Sequence, residues 1–335
     1  MLTPTPSNEN SEKAVIASRE LTVENTTHCG ALCIMCPRAE YDQQWKHMPI
    51  NLFRSVIDQG AALGMTSLDL CGFGDPLMDP NFEEKLEFVR TNYPSIRIYT
   101  ASTAHLLTEK RLDRLCRLLD TLKISNYGFS KKSYEAVHGG AVKFEKVWAN
   151  IHKLLEQPIG QRPYVIMSFL VFKENEHEIE DWKTYWKPRA DEIMVWRPHN
   201  YGGSQQSEKV AYIASSRTES ANVRSCGRPF RGDPFVRVNG DISVCCYDFN
   251  HKLVIGNLYQ QSMLEILSGE SLSRIKAVHE AKSFLQCGLL CEGCDQIFDR
   301  KDALIYSSNS ARGVDQPTTH PDHVVRLVEP NSRVP

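Results

Sequence analysis

Short apolar or β-branched runs alternate with longer amphipathic segments between about residue 19 and residue 200. Runs of this kind are typical of buried strands, whereas apolar residues that recur every three or four positions are typical of helices. The pattern predicts six strands, at residues 20–24, 66–70, 97–100, 121–124, 164–172 and 192–196. It also predicts five helices, near residues 52–63, 81–92, 108–119, 144–155 and 178–186.

The regular alternation of strand and helix indicates parallel βα units. Six units are too few to close the usual eight-stranded barrel. The predicted fold class is therefore α/β, with a partial (βα)6 barrel of TIM type that stays open. Chemistry in such barrels collects at the C-terminal ends of the strands, so the loops that follow the six strands are the expected location of a site.

A different pattern begins after residue 203. Residues 204–222 are rich in Ser, Gln, Glu and Ala, and the dipeptide Asn239-Gly240 then separates two alternating runs, 235–238 and 242–245. Asn-Gly between such runs is a strong signal for a β-hairpin. We therefore predict five regions: a flexible tail (1–18), the barrel core (19–203), a linker (204–225), a small hairpin-plus-helix domain (226–300) and a second flexible tail (301–335).

Composition narrows the possible partners and the compartment. The 335 residues carry a formal net charge of -2, which gives no indication of a nucleic-acid partner. No uncharged apolar stretch is long enough to span a membrane, and the polar start does not resemble a signal peptide. Eleven cysteines without an export signal predict a reducing, cytoplasmic environment and metal binding rather than disulfides.

The first group of cysteines is Cys29, Cys33 and Cys36, which form a C-x3-C-x2-C array directly after the first predicted strand. A structural zinc site normally has four protein ligands, so three clustered cysteines indicate a metal centre with one open coordination position. His28 is a poor fourth ligand because it is adjacent to Cys29. An iron-sulfur cluster on three cysteines would leave one iron free; the alternatives are a zinc knuckle or three buried structural thiols.

A second group of cysteines follows the linker. Cys226, Cys245, Cys291 and Cys294 make a complete set of four ligands, for an iron-sulfur cluster or for zinc. Cys245 and Cys246 are neighbours on a predicted strand, where successive side chains point to opposite faces, so only one of them is expected to face the metal.

The cysteine array, with its Cys-Pro ending, resembles that of the radical S-adenosylmethionine (SAM) enzymes. The resemblance implies a 4Fe-4S cluster on Cys29, Cys33 and Cys36, whose free iron binds the methionine part of SAM. The segment Cys71-Gly-Phe-Gly-Asp75-Pro76 is similar to the glycine-rich SAM-binding motif of that family, with Asp in place of the usual Glu. The SAM contacts implied by the resemblance are Met35, Gly72, Gly74, Asp75 and Ser125.

The C-terminal half resembles the SPASM/twitch extension of radical SAM proteins, which implies one auxiliary 4Fe-4S cluster. Cys245 is favoured over Cys246 as its ligand because the ligand in the family usually lies three residues before an Asp, here Asp248. Cys287 remains a candidate ligand, hydrogen-atom donor or buried thiol.

The resemblance also implies the reaction. Electrons from a donor such as flavodoxin or ferredoxin would cleave SAM to methionine and a 5'-deoxyadenosyl radical, which abstracts hydrogen from substrate. We expect oxidation of a small polar sugar, aminocyclitol or nucleoside, in part because no peptide-recognition domain is evident before Cys29. Peptide maturation, redox-neutral epimerisation or decarboxylation, and a structural zinc protein remain alternatives. Candidate substrate contacts follow the sixth strand, at Arg197, His199, Asn200 and Tyr201.

Overall fold

The structure is a computed structural model that describes residues 19–40, 46–139, 142–203, 223–297 and 304–309. The predicted tail over 1–18, most of the linker over 204–225 and most of the tail over 301–335 lie outside these residues. In the described ranges, no helix is long and apolar enough to cross a membrane.

Within the residues that the structure describes, one continuous sheet of ten strands forms the centre of the fold. Its six core strands pair in parallel and in chain order, as expected when each βα unit packs beside the previous one. The partial (βα)6 barrel predicted from the hydrophobic pattern is therefore confirmed. The core strands are β1 (Glu20–Val23), β2 (Ser67–Leu70), β3 (Arg97–Ser102), β4 (Thr121–Ser125), β5 (Tyr164–Leu170) and β6 (Glu192–Trp196).

Amphipathic helices pack against this sheet through one buried face. In the first helix Leu52, Phe53, Val56 and Ile57 are buried, and each such side chain contributes roughly 1.5–3 kcal/mol when removed from water. The helices are α1 (Ile50–Ala62), α2 (Phe82–Asn92), α3 (Glu109–Leu118), α4 (Lys131–His138), α5 (Phe144–Leu155), α6 (Ile179–Trp186), α7 (Arg228–Arg231), α8 (Met263–Leu267) and α9 (Glu270–Ala281).

The C-terminal region extends the core sheet instead of forming a sheet of its own. The hairpin strands β7 (Phe235–Val236) and β8 (Asp241–Ser243) pair antiparallel around a turn in which Gly240 has φ 84°, and β9 (Val254–Asn257) pairs with β8. Strand β7 also pairs in parallel with β1, with Val23 opposite Val236. The hairpin and the cysteine array after β1 are therefore held at the same place in the sheet.

The other edge of the sheet differs from the sequence prediction. Residues Leu304–Ser307, placed in a flexible tail by their polar surroundings, form β10 and pair antiparallel with β6. Leu304 is buried, and the hydroxyl of Ser307 donates to Glu192 at 3.0 Å. Four residues are too short a run to stand out in a polar segment, so only the free edge of β6 reveals the strand.

Candidate active site

The cysteine array lies at the C-terminal end of β1, against the end of α4. The backbone N–H groups of Leu32 and Ile34 donate to the carbonyl oxygens of His138 and Val137, each at 2.9 Å. A helix leaves its last carbonyls without partners inside the helix. Here they bind the cysteine loop, and Gly139 ends the helix in the left-handed conformation with φ 77°.

The glycine-rich loop after β2 supports the array from the other side. The N–H of Asp75 donates to the carbonyl oxygen of His28 at 2.8 Å, next to the first cysteine. A Cβ at Gly74 would overlap the carbonyl oxygen of Thr26, and one at Gly72 would lie 2.5 Å from a side-chain carbon of Glu24. Both glycines therefore permit close packing of the two loops, and the structure places these predicted SAM contacts beside the cysteines.

Asp75 is the best-anchored carboxylate near the array. It accepts hydrogen bonds from the hydroxyl of Ser102 at 2.8 Å and from the hydroxyl and N–H of Thr103 at 2.6 and 3.0 Å. Burial acts to raise the pKa of Asp75, but the nearby His105 ring and the hydrogen bonds from Thr103 outweigh it and hold the pKa below its usual value. The carboxylate is therefore ionised and fixed in orientation.

Ser102 and Thr103 were not predicted to have a role. The sequence does show two hydroxyl side chains at the end of a predicted strand. Active sites of this type of barrel lie at such strand ends, so these hydroxyl groups could have been chosen as candidates.

The three thiols of the array are half-buried and lie near one another. Burial raises the pKa of Cys29 to about 11, with a further contribution from the negative charge of Asp75. Burial, followed by repulsion from Cys36 and Cys29, also raises the pKa of Cys33. Thiolates close together at this depth need positive charge to stabilise them, which a coordinated metal supplies. The donor set thus fits an iron-sulfur cluster.

Met35 and Ser125, the other predicted SAM contacts, both lie beside Tyr127. Met35 is buried in a small apolar cluster with Tyr127, Val137 and Phe172. The hydroxyl of Tyr127 donates to that of Ser125 at 3.0 Å. Neighbouring cysteines of the array contribute to the raised pKa of Tyr127, after its burial. The structure therefore brings Met35 and Ser125 to one side of the array.

The four C-terminal cysteines line a single cavity. Its wall includes Cys226 before α7, Cys245 after β8, and Cys291 and Cys294 in a short turn of 3-10 helix. Neither Cys246 nor Cys287 is among the lining residues. Cys245 and Cys246 were predicted to lie on a strand, but β8 ends at Ser243 and both cysteines lie beyond it, in a bend and turn. Cys245 lines the cavity together with its neighbour Val244, so the direction of its side chain comes from this turn and not from strand alternation.

The donor set at this cavity is four cysteines. Four cysteine ligands can hold a 4Fe-4S cluster or complete a closed zinc site. In the part of the chain that the structure describes, no three Cys, His, Asp or Glu side chains converge on one metal ion, in either group of cysteines.

The remaining thiols have different surroundings. Cys246 accepts a hydrogen bond from Nη1 of Arg228 at 3.1 Å, and the same guanidinium lies 4.6 Å from the centre of the Tyr247 ring. Cys71 donates to Asp69 at 3.2 Å, while half-buried Cys287 accepts from the N–H of Leu289 at 3.4 Å. All eleven cysteines are free thiols in this structure.

The loop after β6 lies between the two groups of cysteines. Gly202 lines the C-terminal cavity, and the adjacent Tyr201 has a pKa raised first by burial and then by the nearby Cys36. His199 stacks on Tyr247, with ring centres 3.6 Å apart. Tyr201 also packs against Phe73 of the glycine-rich segment, with ring centres 6.3 Å apart, so two consecutive residues contact that segment and the C-terminal cavity.

Asn200, predicted as a substrate contact, has a structural position. Its side-chain amide donates to the carbonyl oxygen of Gly293 at 2.9 Å and accepts from the N–H of Asp295 at 3.1 Å. These bonds fasten the β6 loop to the turn that carries Cys291 and Cys294. Both polar atoms of the Asn200 side chain are therefore hydrogen-bonded to the protein itself.

Family models match the two parts of the chain that contain the two groups of cysteines. A model of the radical SAM superfamily matches residues 23–184, and a model of the SPASM iron-sulfur cluster-binding domain matches residues 226–295. The S-adenosyl-L-methionine-dependent 2-deoxy-scyllo-inosamine dehydrogenase of Niallia circulans is 24% identical over 288 residues, covering 83% of this chain and 92% of that protein.

Solved structures share the fold at low identity. BtrN in complex with AdoMet and 2-DOIA is 18% identical with a TM-score of 0.56, over 82% of this chain and 92% of that one. Streptococcus suis SuiB bound to precursor peptide SuiA is 15% identical with a TM-score of 0.62, over 85% of this chain and 72% of that one. The resemblance inferred from the cysteine spacing is confirmed. The chain belongs to the radical SAM superfamily, uses SAM and 4Fe-4S clusters, and carries a SPASM domain after its core.

Proposed function

We propose that this enzyme is a dehydrogenase that oxidises a small polar alcohol of the sugar, aminocyclitol or nucleoside type. The Niallia circulans relative is named as an aminocyclitol dehydrogenase, and it aligns over most of both chains. The observation that carries the proposal is the β6 loop, where Tyr201 packs against Phe73 of the glycine-rich segment and Gly202 lines the second cysteine cavity. A substrate near this loop would have both metal sites within reach.

Each group of residues has a defined part in this proposal. Cys29, Cys33 and Cys36 would hold the SAM-binding cluster. The auxiliary cluster would be held by Cys226, Cys245, Cys291 and Cys294. When bound, SAM and its cluster would supply a 5'-deoxyadenosyl radical able to accept a hydrogen atom from substrate carbon, and the auxiliary cluster would supply an acceptor for the second electron. Loss of that hydrogen atom, one electron and the hydroxyl proton together accounts for the conversion of alcohol to ketone.

In this proposal the protein's own residues bind and orient SAM and the substrate. The carboxylate of Asp75, held by Ser102 and Thr103, presents a fixed negative charge suited to the amino group of SAM. Met35 and Tyr127 provide apolar surface beside the array, on the side where the hydroxyl of Ser125 lies. His199 and Tyr247 form a stacked aromatic pair near the second site. Such rings exclude water from a radical intermediate, which supports selective oxidation.

We further propose a reduced flavodoxin or ferredoxin as electron donor and the cytoplasm as the compartment. The support is the set of eleven free thiols, which a reducing environment maintains. Dependence of SAM cleavage on a reduced flavodoxin, with dithionite as the positive control, tests the donor.

Peptide maturation is the second candidate, because the SuiB structure bound to its precursor peptide shares this fold with a TM-score of 0.62. In that case small alcohols would be inert, and a peptide substrate would gain a crosslink or an inverted centre.

The test begins with anaerobic reconstitution, which should give about eight irons per chain. Aminocyclitols, sugars and nucleosides are then supplied with SAM and reductant. A dehydrogenase forms ketone and 5'-deoxyadenosine in equal amounts. A variant with Cys245→Ala and Cys294→Ala should retain 5'-deoxyadenosine formation but lose ketone.

Product that carries solvent deuterium without oxidation would instead indicate an epimerase, with Cys287, Cys246 and Cys71 as candidate hydrogen donors. Stoichiometric zinc without 5'-deoxyadenosine would contradict the enzyme assignment.

A further inference from the structure

Each group of cysteines has one buried histidine in contact with one of its sulfurs. In the first, Nδ1 of His138 lies 3.4 Å from Sγ of Cys33. In the second, Nε2 of His279 lies 3.4 Å from Sγ of Cys291. The two histidines belong to different elements, since His138 ends α4 and His279 lies within α9.

The proton on the His138 ring can be located from its second contact. The backbone N–H of Tyr127 donates to Nε2 of His138 at 3.3 Å. A backbone N–H can only donate, so Nε2 is the acceptor and Nδ1 carries the ring hydrogen. The hydrogen of Nδ1 therefore points at Cys33, and the contact is an N–H···S hydrogen bond.

The same reasoning assigns the direction of the second contact. Ser225 Oγ lies 3.0 Å from Nδ1 of His279 and accepts the N–H of Gly227 at 3.1 Å. Its hydroxyl hydrogen is thus free to donate to Nδ1. A metal-bound cysteine has lost its proton and can only accept. Nε2 of His279 is then the donor to Cys291.

Aromatic neighbours hold both imidazoles in place. The ring of Tyr127 stacks on His138 with centres 4.9 Å apart and planes 7° apart, and the ring of Tyr134 lies 4.3 Å away. The rings of Phe284 and His279 pack edge to face, with ring centres 4.9 Å apart. Neither ring can turn away from its sulfur without losing these contacts.

We propose that His138 and His279 are paired positioning residues, one for each iron-sulfur cluster, which donate an N–H···S hydrogen bond to Cys33 and Cys291 respectively and favour the reduced state of that cluster. This inference rests on the two-cluster assignment in the proposed function. Reduction adds a negative charge, part of which is carried by the cysteine sulfurs, so a donor to sulfur stabilises the reduced cluster more than the oxidised one.

Paired variants separate the hydrogen bond from the volume of the side chain. His138→Leu removes the donor, whereas His138→Asn places an amide N–H near the position of Nδ1. His279→Leu and His279→Gln are the corresponding pair, because the Gln amide reaches the position of Nε2. Redox titrations of the reconstituted enzymes, followed by electron paramagnetic resonance, give the midpoint potential of each cluster.

We expect each Leu variant to lower the reduction equilibrium constant of its own cluster by up to about tenfold, because the lost hydrogen bond stabilises the reduced cluster more than the oxidised one. For a one-electron couple this is a shift of up to about 59 mV to lower potential. The other cluster should not shift, and the Asn and Gln variants should lie closer to wild type. Unchanged potentials in both Leu variants with full iron content would overturn the inference.

A measurement on the wild type covers the case in which a Leu variant does not assemble its cluster. Enzyme labelled with 15N-histidine should show 15N hyperfine coupling to each reduced cluster, and the absence of this coupling would refute the hydrogen bonds. The wild-type signals distinguish the possible failures: loss of one cluster signal contradicts the two-cluster assignment, whereas two signals without 15N coupling contradict only the hydrogen bonds, and the oxidation of a small alcohol is tested separately by ketone formation.

Discussion

The two groups of cysteines suit the same kind of metal centre, but one is built from a single loop and the other from distant segments of the chain. Cys29, Cys33 and Cys36 lie in one loop, and the rest of the core is arranged to support that loop. The C-terminal set comes from three separate segments, before α7, after β8 and beyond α9, which meet only in the folded chain. A local site depends on loop geometry, whereas a dispersed site depends on long-range packing.

The difference has a physical consequence for how each site can fail. The loop of the first site is held by backbone hydrogen bonds from α4 and by close contact with glycines, so small steric changes there should be costly. The second site is tied to the core through β7 beside β1 and through Asn200. Loss of its metal should therefore leave the parallel core folded.

The largest expected difference is in SAM cleavage. The triple variant Cys29→Ala, Cys33→Ala, Cys36→Ala should form no 5'-deoxyadenosine above background and retain about four irons, because only the open cluster binds SAM. The quadruple alanine variant of Cys226, Cys245, Cys291 and Cys294 should also retain about four irons but still cleave SAM. Iron analysis and chromatography of 5'-deoxyadenosine check both, with Cys116→Ala on α3 as the control. Equal loss of SAM cleavage in the two variants would contradict the division of roles.

A smaller effect is expected at the carboxylate beside the first site. Asp75→Asn removes the charge that we assign to the SAM amino group, and charge-assisted hydrogen bonds contribute about 1.5–3 kcal/mol. SAM should therefore bind roughly 10- to 100-fold more weakly in anaerobic equilibrium dialysis. Ser102→Ala removes only one of several donors to Asp75 and should weaken binding less. Wild-type affinity in Asp75→Asn would show that this carboxylate only holds the loop.

Loop packing gives the next prediction. The added Cβ in Gly74→Ala would overlap the carbonyl oxygen of Thr26, and overpacking of this kind costs about 1–3 kcal/mol. Thermal unfolding should shift to lower temperature, with iron lost from the first site before the second. The matched control is Gly269→Ala, whose Cβ would lie 3.2 Å from the carbonyl oxygen of Glu265, away from both sites. Equal effects of the two substitutions would argue against a special role for Gly74.

The smallest expected effect separates two neighbouring cysteines. Cys246→Ala should keep about eight irons, because Cys246 contacts Arg228 and does not line the cavity. Cys245→Ala should lower the iron bound at the second site. Iron and sulfide analysis checks the pair, and the reverse result would exchange the assignments.

Some residues of the candidate site could be predicted from their spacing in the sequence, and others could not. The array at Cys29 and the motif ending in Asp75 are contiguous, so their chemistry could be inferred before any fold was known. The donors that fix Asp75 come from the next strand, at Ser102 and Thr103, and depend on how β2 and β3 lie side by side. The buried ion pair between Lys85 and Asp79, at 2.6 Å, was equally invisible, since both residues are ordinary surface types.

The sequence by itself determined the six βα units, the hairpin turn at Asn239-Gly240 and the three-cysteine array, because hydrophobic periodicity, turn preference and short cysteine spacing are local properties of the chain. Only the tertiary structure decided that β7 joins the core sheet beside β1, that β10 covers the edge at β6, and that His138 and His279 each meet one sulfur. These contacts join residues far apart in the chain, and their geometry exists only once the sheet has brought the segments together.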